Sequence, residues 1–182
     1  VVASEQRLHF QQLFAVLKML KKGFAEDMYH LSYGLVNLPS GRMKSREGTV
    51  VDADDIMDDI SLLAEKEVNK RYNKLSRKEK TRRAEFIALA AIKFLMIKTE
   101  PIRDMIFNPK EAISFEGETG PYLLYTYARA QSIIRKSKAK GKVNIVPNEK
   151  EIELCLKMSQ FSEAVEKAYS AMSPHIISRY SL

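Results

Sequence analysis

Phe86-Ile87-Ala88-Leu89-Ala90-Ala91-Ile92-Lys93-Phe94-Leu95-Met96-Ile97 decides the fold of this chain. Read as a helix, the stretch is apolar on nearly every face, as expected of a rod with neighbours all round. It is shorter than the roughly 20 residues a membrane span requires, and Lys93 interrupts it. It is therefore read as the central rod of a helical domain. Ser76 with Glu79 three residues later predicts a capping box that opens this helix. Thr99-Glu100-Pro101 predicts its end, because proline disfavours helix in the residue before it.

Working outward, the signals stay helical. Asp52 or Asp54 caps an upstream helix whose first turns carry Asp54, Asp55, Asp58 and Asp59, negative charge placed at the positive end of the dipole. Downstream, Asn108-Pro109 starts a short helix. Ile113 and Phe115 read as core. Gly117 to Gly120 is a tight loop, and Pro121 opens a helix to about Lys138. Lys136 to Lys142 reads as a basic linker. Helices over Glu149 to about Gln160 and over Phe161 to Ala171 follow, and Ser173-Pro174 begins a last one. From Asp52 onward every element is expected to be helix.

The N-terminal segment has a different period. Val1-Val2-Ala3 reads as a strand, followed by a helix with Phe10, Leu13, Phe14, Leu17 and Leu20 on one stripe and Gly23 as its C-cap. Met28 to Val36 alternates as a second strand, and Pro39-Ser40-Gly41 forces a turn. Strand, helix and strand with short connections form the βαβ unit of a parallel sheet. The expected architecture is mainly α: a βαβ remnant of a Rossmann-like domain over residues 1–51, a connecting helix over 52–75, and a helix bundle over 76–182. One βαβ unit cannot cover both faces of its sheet. Val1-Val2 without an initiator Met, and an end at Ser181-Leu182 within an amphipathic stretch, read as a piece of a longer protein.

Composition removes several function classes. The single cysteine, Cys155, excludes a disulfide framework, a Cys-rich zinc site and an iron–sulfur cluster. His9, His30 and His175 are too scattered to suggest a His-built metal site, so no metal ligands are assigned. The aspartates at 54, 55, 58 and 59 lack the loop spacing of calcium ligands. No serine sits in a Gly-x-Ser-x-Gly elbow, and no Gly-x-x-x-x-Gly-Lys loop occurs. Without a secretion signal, the expected compartment is the cytoplasm. The formal charge of +7 permits a polyanion partner.

Two stretches carry candidate chemistry. Gly41-Arg42-Met43-Lys44-Ser45-Arg46-Glu47-Gly48 places three cations at alternate positions in a glycine-bracketed loop directly after a strand. Such a loop suits a clamp on a polyphosphate, with Arg42, Lys44 and Arg46 neutralising charge and Ser45 donating a hydrogen bond. The same residues also read as a solvated basic hairpin tip. Glu5-Gln6-Arg7-Leu8-His9 lies where the first strand passes into the helix, the position at which open parallel sheets bind ligands.

These residues, from Val1 to Phe10, then His30 to Val36 and the basic loop, resemble the second half of a class I aminoacyl-tRNA synthetase active site. Phe107-Asn108-Pro109, Ser114 to Arg129 with its Gly-Glu-Thr-Gly-Pro-Tyr core, and Ser132-Ile133-Ile134-Arg135-Lys136 resemble the start of the anticodon-binding bundle of arginyl-tRNA synthetases. The resemblance implies a ligase that joins arginine to its tRNA with ATP and Mg2+ through an arginyl-adenylate. It implies arginine and tRNA as partners, no membrane or DNA partner, and a monomeric parent. It places Gln6 on arginine, and His9, Gly34, Leu35, Val36 and Met43 on ATP. Arg42, Lys44, Ser45 and Arg46 correspond loosely to the family's Lys-Met-Ser-Lys-Ser signature: Lys44 stands at its Ser and Ser45 at its second Lys. The His-x-Gly-His signature of the other half occurs nowhere in the sequence, so this chain alone is expected to be inactive.

Lys66 to Arg83 holds nine cations against Glu67 and Glu79, and Arg129 to Lys142 holds six and no acid. Patches of this kind bind phosphates without reading sequence. Tyr122, Tyr125, Arg129, Arg135 and Lys136 are the candidate tRNA-binding residues, the tyrosines by stacking on unpaired bases or, alternatively, as helix-packing residues. A non-catalytic tRNA-binding helical fragment is the alternative reading of the whole.

Overall fold

The structure is a computed structural model that describes residues 1–39, 41, 52–137 and 146–182. Arg42, Met43, Lys44, Ser45 and Arg46 of the basic loop lie outside the described residues, as do Lys138, Lys140 and Lys142 of the linker. The chain divides into two compact units, Val1–Val50 with Thr99–Phe107, and Val51–Lys98 with Asn108–Leu182.

In the first unit, β1 (Val2–Ala3) pairs in parallel with β2 (Ser32–Tyr33), Val2 opposite Ser32 and Ala3 opposite Tyr33. A 3-10 turn over Ser4–Gln6 leads from β1 into α1 (Arg7–Met19), which completes the βαβ unit. The expected strand over 28–36 is shorter and broken. After β2 the chain passes through Gly34 and pairs again as β3 (Val36–Asn37), in a separate sheet. Its parallel partner is β4 (Met105–Ile106), in a segment that reads as purely helical from sequence. Two residues carry no periodicity, so β4 exists only through that pairing.

The cap of α1 also differs from expectation. Gly23 is not the cap: Lys22 N–H donates to Leu17 O at 3.1 Å and Lys21 N–H to Lys18 O at 2.9 Å, with Lys21 at φ 50°. This pair of bonds closes the helix two residues before the glycine and forces a lysine into the left-handed region. α7 (Phe161–Ser170) ends the same way, with Met172 at φ 48° and Ser173 N–H bonded to Ala168 O at 2.9 Å. A left-handed residue with a Cβ costs about 1 kcal/mol or more. Met172→Gly is therefore expected to raise stability by about 0.5–1 kcal/mol in a denaturant titration; an unchanged or lowered midpoint would contradict this cap assignment.

The second unit is all helix: α2 (Ala53–Arg71), α3 (Arg77–Lys98), α4 (Pro109–Ala112), α5 (Gly120–Lys136), α6 (Glu149–Ser159), α7 and α8 (His175–Tyr180). Asp52 stands at the N-cap of α2, one of the two positions expected, but its side chain makes no cap hydrogen bond. Asn108 accepts from Lys110 N–H, Thr119 from Tyr122 N–H, and Asn148 forms a reciprocal box with Glu151. At α3 only half the expected box forms: Ser76 Oγ accepts from Glu79 N–H at 3.3 Å, while the Glu79 carboxylate turns to Arg83 at 3.1 Å.

α3 is the centre of this unit, packed against α2, α4, α5 and α8. Ile60, Ala64 and Val68 of α2 bury at four-residue spacing, and Ala84, Ala88, Ala91 and Leu95 of α3 supply a small-residue face. Full burial of a side chain such as Ile60 contributes about 1.5–3 kcal/mol. The rod is not covered all round, because Phe86 remains 60% exposed, with Arg82 Cζ 5.9 Å from its ring centroid. Ser178 Oγ of α8 donates to Ile97 O at 2.8 Å, tying the last helix to the end of the rod.

Candidate half-site for adenylate chemistry and nucleic-acid face

In the first unit the parallel β1–β2 register sends the residues after Ala3 and after Tyr33 off the same end of the ladder. That is the carboxyl end, where ligands sit in open α/β sheets. Gln6 and His9 follow β1 there; both are exposed, and the Gln6 side chain makes no cap bond to α1. His9 meets the Phe10 ring edge-on at 5.6 Å. Phe10 in turn stacks on His30 at 4.4 Å, and His30 Nε2 lies 3.0 Å from Val2 O. His30 thus fixes the face of α1 to the strand, a packing role that a lone histidine in a strand pattern does not advertise. None of the α1 stripe is fully buried among the described residues.

Gly34, Leu35 and Val36 are held by residues far along the chain. Gly34 N–H donates to Pro101 O at 2.7 Å, and Leu35 N–H to Asp104 Oδ1 at 2.7 Å. Leu35 O accepts from Met105 N–H at 2.9 Å. A Cβ on Gly34 would lie 2.2 Å from the Arg103 carbonyl carbon and oxygen, so only glycine permits this approach. In the parallel register with Met105, the Val36 N–H and C=O point away from β4. A strand edge anchored in this way offers one donor and one acceptor at fixed spacing, which is what a purine edge needs. Asp104 is a positioning residue that sequence reasoning missed, since its partner lies 69 residues away.

The basic loop is rooted directly after this strand. Leu38 and Gly41 exchange both backbone hydrogen bonds, at 3.0 and 2.9 Å, with Gly41 at φ 120°. The turn expected at Pro39-Ser40-Gly41 is therefore present at its two ends.

In the second unit, Tyr122, Tyr125 and Arg129 follow one another at helical spacing on α5, and all are exposed. Arg129 Nη1 lies 3.5 Å from the Tyr125 hydroxyl. Arg135 and Lys136 are exposed in the last turn of the same helix. Of the Lys66–Arg83 cations, Lys70 pairs with Glu67 at 2.7 Å and Arg83 with Glu79 at 3.1 Å. Arg83 also lies over the Tyr72 ring at 5.0 Å. Phe115, expected in the core, is only half-buried and lies beneath Arg71, while Ile113 is buried as expected. No helix among the described residues is long and apolar enough to cross a membrane.

A parallel βαβ element, with residues 4–9 and 34–36 at the carboxyl ends of its strands, is followed in the chain by an all-helical unit. Residues 1–109 match the family "tRNA synthetases class I (R), catalytic domain", and residues 123–182 match the "DALR anticodon binding domain". The chain belongs to this arginine-type class I tRNA synthetase family. It is 43% identical, over 99% of its length, to the arginine–tRNA ligase of Treponema denticola, and 44% identical over 98% to that of Flavobacterium psychrophilum. It spans 32% and 30% of those curated relatives. Among solved structures, Thermus thermophilus arginyl-tRNA synthetase superposes with a TM-score of 0.77 at 35% identity, over 92% of this chain and 28% of that one. The Plasmodium falciparum arginyl-tRNA synthetase shares the fold, with a TM-score of 0.78 at 21% identity, over 98% and 31%.

Proposed function

We propose that this chain supplies the distal half of the adenylate site and much of the tRNA-docking bundle of an arginine–tRNA ligase. The observation that carries the reading is one chain holding both segments in order, an arginine-type class I catalytic segment followed by a DALR segment. In the first step a carboxylate oxygen of arginine attacks the α-phosphorus of ATP. The bond from that phosphorus to the bridging oxygen breaks and pyrophosphate leaves. In the second step a 3′-terminal ribose hydroxyl of tRNA attacks the activated carbonyl carbon, loses its proton and releases AMP. Neither step needs a covalent bond to protein, so the work is positioning and charge stabilisation.

The residue roles are those that the family resemblance carries over. Gln6 orients arginine at the end of β1, and Val36 offers its backbone edge to adenine, held by Gly34, Leu35 and Asp104. His9 and Met43 line the nucleotide. Arg42, Lys44, Ser45 and Arg46 clamp the pyrophosphate. Mg2+ arrives on the phosphates of ATP; among the described residues no three His, Cys, Asp or Glu side chains gather to hold a metal ion. Tyr122, Tyr125, Arg129, Arg135 and Lys136 dock tRNA, and the reaction belongs in the cytoplasm. The test is charging of tRNA by the full-length protein with radiolabelled amino acids. Arginine alone is expected to be attached, and attachment of another amino acid in its place would overturn the reading.

A further inference from the structure

Glu118 is the only acid between Gly117 and Asn148, a stretch that carries six cations and the residues proposed above to dock tRNA. It stands in the loop that opens α5, directly before the Thr119 cap. A free carboxylate at that place would repel a polyanion and weaken its binding. The fold does not leave it free. Arg179 Nη1 of α8 donates to Glu118 Oε1 at 2.6 Å, from 61 residues along the chain. Among the described residues, the other ion pairs of the helical unit join residues three or four apart on one helix. Arg179–Glu118 is the one that ties two distant segments together.

Both ends of this pair are fixed by their neighbours. Ser178, just before Arg179, is buried, and its Oγ bond to Ile97 O holds α8 to the end of α3. Tyr180, just after it, donates its hydroxyl to Lys157 O of α6 and sets its ring 5.7 Å from that of Phe161. Three consecutive side chains of α8 thus reach α3, the loop before α5, and α6. On the other side, Lys98 Nζ lies 3.5 Å from Glu118 O. Thr119 Oγ1 donates to Ser114 O at 2.5 Å and accepts from Tyr122 N–H at 3.2 Å. The Arg179 and Glu118 side chains are 55% and 51% exposed, so their pairing contributes little to folding. Its consequence lies in where it keeps the negative charge.

We propose that Arg179 is a positioning residue for tRNA docking: it holds the Glu118 carboxylate against α8 and cancels its charge, so that no uncompensated anion stands at the entry to α5. The proposal rests on the tRNA-ligase reading above and gives α8 a part in it without any contact between Arg179 and RNA.

The experiment is filter binding of an arginine-accepting tRNA transcript to the full-length protein at one fixed, low salt concentration, where charge effects are least screened. The variants are Arg179→Ala, Glu118→Gln and the two combined. Arg179→Ala is expected to weaken binding roughly 3- to 10-fold, because it frees the carboxylate. Glu118→Gln removes that charge and is expected to bind as wild type does. In the Glu118→Gln background, Arg179→Ala is expected to cost less than about twofold, since the two residues act as one unit. Wild-type affinity for Arg179→Ala would overturn the proposal. So would an equal loss in both backgrounds, the mark of an arginine that itself meets a phosphate. A loss for Glu118→Gln as large as that for Arg179→Ala would reduce the pair to a structural brace and overturn it as well. In each of these cases the wild-type protein still binds tRNA and the ligase reading stands. Failure of the wild-type protein to bind the transcript would overturn that reading and the proposal with it.

Discussion

Gly120→Ala is expected to destabilise the helical unit by about 3 kcal/mol, at the upper end of overpacking costs. Gly120 is the first residue of α5 and is buried with Pro121 against the middle of α3. A Cβ built there lies 2.1 Å from Ala90 O, 2.5 Å from Ala90 C and 3.0 Å from Ala91 N. These are backbone atoms inside a helix that also packs on α2, α4 and α8, so no single side chain can swing away to relieve the clash. The backbone at Gly120 does not require glycine, so space alone sets the cost. For a unit of this size the loss corresponds to a fall in Tm of roughly 6–12 °C by circular dichroism. Gly23→Ala is the control, since a Cβ at that position meets nothing within 4 Å. A Tm for Gly120→Ala within about 2 °C of wild type would contradict the packing of α5 on α3.

The second large effect concerns chemistry. Removing both Lys44 and Arg46 as alanine in the full-length protein is expected to slow arginine-dependent ATP–pyrophosphate exchange by about 10²–10³-fold, the scale of losing pre-placed charge at a reacting phosphate. The Leu38–Gly41 turn roots their loop at the end of β3, next to the strand edge assigned to adenine. Tight tRNA binding is expected to survive, because the residues proposed to dock tRNA lie on the helical unit. The two single substitutions separate the cations: the one that carries most of the loss is the one facing the leaving pyrophosphate. Exchange within threefold of wild type in the double variant would remove the clamp from the mechanism.

The parts of this fold visible in the sequence are those specified locally. Asn108-Pro109, Pro121 and Glu149 mark their helix starts, where the cap bonds of Asn108, Thr119 and Asn148 span only two or three residues. The invisible parts depend on partners far along the chain. β4 is a strand only because Val36 and Asn37 lie beside it, and the strand expected over 28–36 breaks where Gly34 meets the backbone of Arg103. Lys21 and Met172 close their helices in a conformation that favours glycine, so a reading that looks for glycine misplaces the end of α1 at Gly23. The candidate site divides along the same line. The basic loop and the β1–α1 junction are contiguous motifs and are legible as such. Asp104 under Leu35 and Arg71 on Phe115 join residues 69 and 44 positions apart, and no local pattern brings them together. Phe115 reads as core because its hydrophobicity is local information and the guanidinium that covers it is not.

The most direct test of the central claim, that this chain holds one half of an arginine-activating site, is ATP–pyrophosphate exchange on the full-length protein and on the 182-residue chain side by side. The full-length protein is expected to exchange only when arginine and its tRNA are both present, and the chain alone is expected to show none. Exchange catalysed by the chain alone, or exchange by the full-length protein that does not depend on arginine, would contradict it.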